Sequence, residues 1–354
     1  MKDELIPHRP DPLQLPESAG KVHMKSDYHE AAISLADGNP LLISDRYSTG
    51  LSVLAKLKKL ISRGKQARTF GMSRKQRAHY KKASNLLLAP VENHQIALYK
   101  SPESGWLEKL YPDLDQFYLS FPQLQGLNSS WQWYQKGIQY PGLDTKIHPW
   151  YGVYFPTRFD HLSLFNEWLS EYEGAKEIGA DIGTGCGVLG FLLAGNGFQK
   201  VFASDLNPNA VISVRESAGR LGYDSVLEPL VSDFFKGHTQ KADLILFNPP
   251  WLPALHSLSH LDRAIYYEKG FFETFFRQAE PFLKKEGRLV VLFSNMAERQ
   301  GLSSAHPVRD ELLTGNRFKK ISELRKPVAS KSEKTKRRDH RGDEVVELWE
   351  LALI

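Results

Sequence analysis

The chain has 354 residues, of which 41% are hydrophobic and 25% are charged, the balance of a globular protein long enough for two domains. Its single cysteine, Cys186, excludes an intramolecular disulfide framework and a cysteine-cluster zinc site, and we expect no metal. No apolar run approaches the ~18–20 residues of a membrane span and the N-terminus lacks the apolar core of a signal peptide, so we expect a cytoplasmic protein with no membrane partner.

The formal net charge of +5 is unevenly distributed. Residues 56–82 contain eleven lysines or arginines and no acidic residue, and residues 325–341 contain eight against two acids. Like charges at this density repel one another unless a polyanion offsets them, so the pattern favours contact with nucleic acid. A solvated helix face and an exposed loop are the alternative. The candidate substrate-binding residues are Lys58, Lys59, Arg63, Arg74, Arg77 and Lys81.

The first part of the chain divides into a tail and a small domain. Residues 1–25 contain four prolines and few large apolar side chains, which predicts a disordered or loosely docked tail. Residues 26–145 predict an accessory α/β domain with a role in substrate recognition. Its helices are expected over residues 26–36, 51–61 and 73–84, and its strands over residues 41–43, 86–88, 94–99 and 116–121.

Residues 146–354 begin with a helix over 160–172, for which Asp160 is the expected cap, and continue as alternating strands and helices. The strands are predicted over residues 177–182, 200–205, 227–231, 242–247 and 288–293, and the helices over residues 188–195, 209–221 and 268–283. This alternation predicts a parallel sheet covered on both faces. The last two strands, over 319–325 and 345–353, lack a helical pattern between them, which predicts an antiparallel pair at the sheet edge.

A glycine-rich loop, Asp181-Ile182-Gly183-Thr184-Gly185-Cys186-Gly187, joins the first of these strands to a helix. Glycines let the backbone approach a ligand closely, and the helix N-terminus offers free N–H groups. The spacing of the glycines also fits a dinucleotide-binding loop. The carboxylate of Asp181 argues against that alternative, because it would repel a diphosphate and tolerate a cationic ligand with a free amine.

Two acidic residues follow the next two strands. Asp205 ends its strand and is placed to accept both hydroxyl hydrogens of a ribose, since Asn207 or Asn209 is better placed to cap the following helix. Asp233 could accept from an adenine amine while Phe234 packs on the ring, although a Ser-Asp pair after a strand is also ordinary turn chemistry.

The motif Asn248-Pro249-Pro250-Trp251 follows the apolar strand predicted over 242–247. Two prolines fix the backbone and remove its donors, so the Asn248 side-chain oxygen and the Pro249 carbonyl form a rigid pair of acceptors. Such a pair suits an NH2 group, and accepting both hydrogens aims the nitrogen lone pair at a methyl donor. Trp251 offers a flat face on which a planar substrate can stack. A proline-rich turn is the alternative.

Together these motifs resemble the class I S-adenosylmethionine-dependent methyltransferases with a methyltransferase small domain. Members of that group modify glutamine side chains or exocyclic base amines in RNA. The resemblance covers residues 146–354. It implies a Rossmann-like seven-stranded sheet with an antiparallel last strand, beside the smaller N-terminal α/β domain, and S-adenosyl-L-methionine as the cofactor.

The resemblance also implies residue roles. Asp205 would hold the cofactor ribose, Asp233 would lie by its adenine, and the segment 151–158 resembles the part that covers the cofactor. Phe159 stands where the release-factor enzymes have a further proline. The expected cofactor-binding residues are Asp181, Gly183, Thr184, Gly185, Gly187, Asp205, Leu206, Asp233, Phe234 and Asn248. The expected catalytic residues are Asn248, Pro249, Pro250 and Trp251, of which Trp251 also contacts substrate.

These observations favour an N-methyltransferase that acts on an exocyclic base amine in RNA, ribosomal RNA above all. A glutamine N-methyltransferase of the translation machinery would have a site of the same appearance, with the ribosome or a translation factor as its partner. A third alternative is a non-catalytic nucleic-acid-binding protein that keeps the fold, against which the intact motifs argue.

Overall fold

The computed structural model describes residues 5–63, 70–254, 264–328 and 344–354, with the backbone alone at 63 and 70–74. The chain forms two compact units. Arg9–Gln135 make up one unit, and Lys136–Ile354 with the described residues before Arg9 make up the other, so the division falls ten residues before the predicted boundary at 145. In the part of the chain that is described, no helix has both the length and the apolarity needed to cross a membrane.

The N-terminal unit is a small α/β fold. Its elements are β1 (Gly20–Val22), α1 (Tyr28–Ala36), β2 (Leu41–Ile43), α2 (Tyr47–Arg63), α3 (Phe70–Ser84), β3 (Leu87–Glu92), β4 (Gln95–Ile96), α4 (Trp106–Leu110), β5 (Gln116–Ser120) and α5 (Phe121–Lys136). Strands β1, β2 and β3 are parallel, and β4 and β5 pair with β3 in the antiparallel sense. The α/β class predicted for this region is therefore observed.

The prediction of a disordered tail over 1–25 is wrong for the described residues 9–25. Leu13 exchanges backbone hydrogen bonds of 2.8 and 3.1 Å with Tyr118, and Gly20–Val22 pair with the free edge of β2. Val22 is 1% exposed. A short strand that adds to an existing edge gains a ladder of hydrogen bonds and buries one apolar side chain, which a proline-rich composition does not reveal.

The C-terminal unit contains the alternating strands and helices. Its elements are α6 (Asp160–Ser170), β6 (Ile178–Ile182), α7 (Val188–Gly195), β7 (Lys200–Asp205), α8 (Pro208–Leu221), β8 (Leu227–Val231), β9 (Ala242–Phe247), β10 (Leu252–Pro253), β11 (Tyr266–Tyr267), α9 (Phe271–Phe282), β12 (Leu283–Ser294), α10 (Met296–Arg299), α11 (Pro307–Thr314), β13 (Phe318–Pro327) and β14 (Val345–Leu353). Helix α6 begins at Asp160 itself and its N-cap, Phe159, makes no side-chain cap, so Asp160 lies in the first turn and the predicted cap is wrong.

The large sheet has seven strands in the order β13-β14-β12-β9-β6-β7-β8. The five strands from β12 to β8 are parallel, and β14 is antiparallel to both of its neighbours. This arrangement confirms the Rossmann-like sheet with an antiparallel last strand. The strand order reverses between β6 and β9, and in open α/β sheets ligands bind outside the carboxyl ends of the strands at such a switch point.

An aromatic core supports the sheet next to the switch point. Every residue of β9 is buried, and the Phe247 ring at its end stacks on Phe275 of α9 with 3.8 Å between ring centroids. Phe275 is fully buried and also contacts the rings of Phe234 and Phe276. Aromatic side chains bury a large apolar area each, so this cluster fixes the end of β9 from which the N-P-P-W motif (residues 248–251) emerges.

We expect Phe275→Ala to lower the free energy of unfolding of the C-terminal unit by about 3–5 kcal/mol, because it removes buried ring contacts and leaves a cavity. Leu313→Ala is the matched control: Leu313 is 79% exposed on α11, and its truncation should change stability by no more than about 0.5 kcal/mol. Urea unfolding followed by circular dichroism measures both. Equal effects of the two substitutions would show that the aromatic cluster is not the core.

Candidate active site

The glycine loop between β6 and α7 has a backbone that requires glycine. Gly183, Gly185 and Gly187 have φ angles of 69°, 54° and 87°, in the left-handed region that other residues rarely adopt. A Cβ on Gly185 would lie 2.9 Å from the carbonyl oxygen of Tyr154, too close for any side chain. A Cβ on Gly183 would lie 4.0 Å from the Phe247 ring, an ordinary van der Waals contact, so only its positive φ requires glycine there.

The buried carboxylate of Asp181 fastens this loop to α7. Its Oδ2 accepts from Thr184 Oγ1 at 2.7 Å and from the backbone N–H of Gly190 at 2.9 Å. Burial raises the pKa of Asp181 to about 6, although these two hydrogen bonds favour the charged form. Asp181 is 1% exposed. The carboxylate that we expected to favour a cationic ligand therefore also holds the loop together.

Asp205, at the end of β7, connects the glycine loop to the loop that follows β7. Its Oδ2 accepts from the backbone N–H of Gly185 and its Oδ1 from that of Asn207, both at 2.9 Å. Burial raises the pKa of Asp205, and its backbone hydrogen bonds oppose that shift. A carboxylate has about four lone-pair sites, and the backbone N–H of Leu206 also stabilises the charged form of Asp205, so Asp205 keeps capacity for at least one further donor. Asn207 caps α8, as its sequence position predicted.

The segment 151–158 lies over the glycine loop. The Tyr154 carbonyl accepts from the backbone N–H of Cys186 at 3.0 Å. Asn207 Nδ2 donates to the Gly152 carbonyl at 2.9 Å, and Asn209 Nδ2 donates to the Tyr151 carbonyl at 2.7 Å. The segment is therefore attached both to the loop and to the start of α8.

The remaining residues that were assigned to cofactor binding lie after β7 and β8. Leu206 is 48% exposed and Asp233 is exposed, both at the carboxyl edge of the sheet. Phe234 has a φ of 53°, and its carbonyl accepts from Ser232 Oγ at 2.9 Å. Its ring packs against Phe271 and Phe275, with centroids 5.2 and 5.6 Å away, so Phe234 is a half-buried member of the aromatic core.

The N-P-P-W motif emerges beside the glycine loop. Phe247 pairs with Ile182 in the parallel register, so the next residues, Asn248 and Gly183, leave the sheet side by side. After the motif, Leu252–Pro253 pair with Tyr266–Tyr267, which fixes the direction of the chain. The structure thus brings the glycine loop, Asp205 and the motif to one edge of one sheet.

The motif contains polar atoms without partners. The Oδ1 of Asn248 and the Nε1 of Trp251 are buried and have no hydrogen-bond partner among the described residues. Buried polar atoms are nearly always satisfied in native proteins, and those that are not commonly mark a ligand site. One of these atoms is an acceptor and the other is a donor.

Sequence reasoning missed His161, which contacts the motif from α6. Its ring meets that of Trp251 edge to face, with 5.5 Å between centroids and 87° between planes. His161 is 3% exposed, and its Nε2 has no partner in the described part of the chain. Burial lowers the pKa of His161 to about 4, although Asp160 opposes the shift, so the ring is neutral at pH 7. A lone histidine on an apolar helix face gives no sequence signal of its own.

The candidate substrate-binding residues belong to the N-terminal unit and not to this edge. Lys58 and Lys59 are exposed on α2, and Arg77 and Lys81 are exposed on α3. The side chains of Arg63 and Arg74 lie outside the described residues, as do residues 329–341 of the second basic stretch.

Comparison with known proteins identifies the family. The family model "Methyltransferase small domain" matches residues 144–319. A putative protein N5-glutamine methyltransferase of Methanocaldococcus jannaschii is 30% identical over 178 residues, which cover 48% of this chain and 86% of that protein. The release factor glutamine methyltransferase of Cereibacter sphaeroides is 41% identical over 75 residues, but these span 21% of this chain and 27% of that protein.

Among solved structures, the ribosomal protein L11 methylase of Lactobacillus delbrueckii subsp. bulgaricus aligns with a TM-score of 0.36 and 17% identity, over 54% of this chain and 76% of that one. The matched range of the family model contains the glycine loop and Asp205. The chain belongs to the methyltransferase small-domain family of class I S-adenosylmethionine-dependent methyltransferases.

Proposed function

We propose that this methyltransferase transfers a methyl group from S-adenosylmethionine to an exocyclic amine of an RNA base. The observation that carries the proposal is the buried, unpartnered Oδ1 of Asn248, which leaves the sheet beside Gly183 of the glycine loop. A donor N–H from the acceptor nitrogen satisfies this oxygen and places the nitrogen next to the cofactor loop.

The residues of the carboxyl edge fit the cofactor. Asp205 keeps at least one lone-pair site for a ribose hydroxyl, no close contact crowds Gly183, and the exposed Leu206 and Asp233 would border an adenine bound at this edge. When bound there, S-adenosylmethionine supplies an activated methyl group on a positively charged sulfur. The chain holds the loop rigid through Asp181 and Asp205, so little rearrangement accompanies binding.

The motif fits a planar amine. Pro249 and Pro250 carry no backbone N–H, and the paired strands β10 and β11 hold the chain after them. The amine of a base is a poor nucleophile because its lone pair is delocalised into the ring. Acceptors that bind its two hydrogens localise the lone pair and direct it towards the methyl group. The half-buried Trp251 offers its ring face to the base.

The charge of the N-terminal unit favours RNA over a protein acceptor. Lys58, Lys59 and Lys81 are exposed on the adjacent helices α2 and α3, and none of them forms an ion pair with a described residue. No acidic residue occurs between 56 and 82 to neutralise them. A surface of this kind binds phosphates without sequence preference and positions the strand whose base is modified. The second basic stretch, residues 325–341, begins in β13, where Arg325 pairs with Glu323 and Lys326 with Glu167, and continues into the connection to β14.

A glutamine side chain is the second candidate acceptor. The Methanocaldococcus relative, which matches over most of its length, bears the name of a putative N5-glutamine methyltransferase. A carboxamide has the same NH2 group and delocalised lone pair as a base amine, so the N-P-P-W motif fits both. The charge on α2 and α3 has no role in that alternative.

The experiment that decides between them is tritiated methyl transfer from S-adenosylmethionine into a cell extract separated into RNA, DNA and protein. We expect label in RNA. Label in protein alone would establish the glutamine alternative, and label in DNA would contradict the choice of nucleic acid.

We expect Asp205→Ala to weaken binding of S-adenosylmethionine by roughly 1–3 kcal/mol, because the carboxylate would no longer hold the ribose diol. Isothermal titration calorimetry measures the affinity. Glu173→Ala is the matched control, since it removes an exposed carboxylate from the loop before β6, at the opposite edge of the sheet. Equal affinity in the two variants would remove Asp205 from the cofactor site.

We expect Asn248→Ala to leave the cofactor affinity nearly intact and to lower kcat by about 10²–10³, the scale seen when one preorganised polar group is removed from a reacting centre. Gln199→Ala removes an exposed amide from the amino edge of the sheet and should not change kcat. Single-turnover label transfer measures the rate. If Asn248→Ala retains turnover within a few-fold of wild type, the amine is not held at Asn248.

We expect the triple substitution Lys58→Gln, Lys59→Gln and Lys81→Gln to raise the KM for RNA and leave cofactor affinity unchanged. Each lost phosphate contact should reduce the log–log salt slope of binding by up to ~0.9 on a duplex or ~0.7 on a single strand.

The matched control replaces Lys21, Lys25 and Lys100, which are exposed in the same unit outside α2 and α3, and so makes the same change in net charge. RNA binding at several salt concentrations compares the two triple variants. Identical slopes would show that α2 and α3 do not contact the RNA backbone.

A further inference from the structure

His161 lies at the carboxyl edge of the large sheet because of how α6 crosses it. Arg158, just before α6, pairs with Glu344 at 3.2 Å, and Trp168 in the last part of α6 donates to Glu350 of β14 at 3.1 Å. Strand β14 is antiparallel to the others, so Glu344 lies at the carboxyl edge and Glu350 towards the amino edge. Helix α6 therefore starts at the edge that holds the glycine loop and the N-P-P-W motif.

The imidazole of His161 is placed against the motif and is poorly explained as a core residue. Its ring meets that of Trp251 edge to face at 5.5 Å, in a position that an apolar ring could also fill. Its Nε2 is buried and has no partner among the described residues, which costs stability that a phenylalanine would not cost. A neutral imidazole carries a donor at one nitrogen and an acceptor at the other.

Three buried polar atoms without a hydrogen-bond partner among the described residues belong to the motif and to the ring that touches it. They are the Oδ1 of Asn248, the Nε1 of Trp251 three residues later, and the Nε2 of His161 on the ring that touches Trp251. Other single buried atoms without partners occur elsewhere in the described chain, but these three combine an acceptor, a donor and an imidazole nitrogen on residues that are close in sequence or in ring contact, which suits one kind of ligand. That ligand is a planar edge on which an NH2 group is flanked by further hydrogen-bonding atoms.

We propose that His161 is an acceptor-contacting residue, whose Nε2 forms a hydrogen bond with the ring edge of the base whose amine is held by Asn248. This inference rests on the acceptor site of the proposed function and adds a second contact to the base. The acceptor must present a hydrogen-bonding atom beside the amine, as adenine, guanine and cytosine do. A simple alkylamine, which has no such atom, would leave the imidazole and the indole N–H unsatisfied and is excluded as a substrate.

Three substitutions at position 161 separate this role from packing. Gln places its terminal amide close to the position of Nε2, Asn places its amide at the position of Nδ1, and Phe keeps a ring against Trp251 without a polar atom. The readouts are kcat and KM for the RNA fraction of the extract, cofactor affinity by calorimetry, and melting temperature. We expect His161→Phe and His161→Asn to lower kcat/KM about 10- to 100-fold and His161→Gln to recover most of the loss, with cofactor affinity unchanged within twofold.

A packing role predicts the reverse order, with His161→Phe close to wild type and His161→Gln impaired, and that result would overturn the proposal. If His161→Phe does not fold, the comparison of the Gln and Asn variants decides, and equal kcat/KM values in these two would also overturn it. The variants are assayed on whichever fraction the wild-type protein labels. Label in protein would contradict the RNA proposal, while the order of the three variants would still decide the role of His161.

Discussion

The glycine loop between β6 and α7 keeps its shape because two carboxylates accept hydrogen bonds from it. Asp181 binds Thr184 and the N–H of Gly190, and Asp205 of the neighbouring strand binds the N–H of Gly185. Burying two carboxylates close together is costly: burial raises both pKa values, and the charge of Asp205 adds to the shift at Asp181. The hydrogen bonds that offset this cost are the same ones that hold the loop in place. A substitution that removes either carboxylate would therefore change both the charge at the site and the position of the loop.

The proposed cofactor half and the proposed acceptor half of the site differ in how many of their polar atoms have hydrogen-bond partners. On the cofactor side, the loop, Asp205 and the covering segment are bonded to one another, with 3.0 Å between Cys186 N and the Tyr154 carbonyl. On the proposed acceptor side, Asn248, Trp251 and His161 each have a buried polar atom without a hydrogen-bond partner among the described residues. This difference fits the proposed function, in which binding energy acts at the reacting nitrogen at some cost in stability.

Regular elements of the C-terminal unit were predictable because strands and helices alternate there at a regular spacing. The predicted bounds of α7, β7, β8, β9 and β14 agree with the structure. Elements stabilised mainly by tertiary contacts were missed. Helix α5 carries Pro122 and Gly126 and begins directly after β5, so its sequence resembles a turn, yet Trp131 and Tyr134 pack on Trp106 of α4. The pair β10 and β11 is two residues long on each strand and has no period to detect.

For the site, the sequence by itself determined which residues emerge at the ends of the strands. Three features are local requirements that can each be recognised within a few residues. They are glycines that must adopt positive φ, an acid after the next strand, and two prolines after the fourth strand. Only the tertiary structure decided which of these ends are neighbours and what lies between them. The register of Phe247 with Ile182 puts Asn248 beside Gly183, and the path of α6 across β14 brings His161 to Trp251, 90 residues away along the chain. Such contacts follow from the packing of helices on a sheet, and no local pattern around a single histidine encodes them.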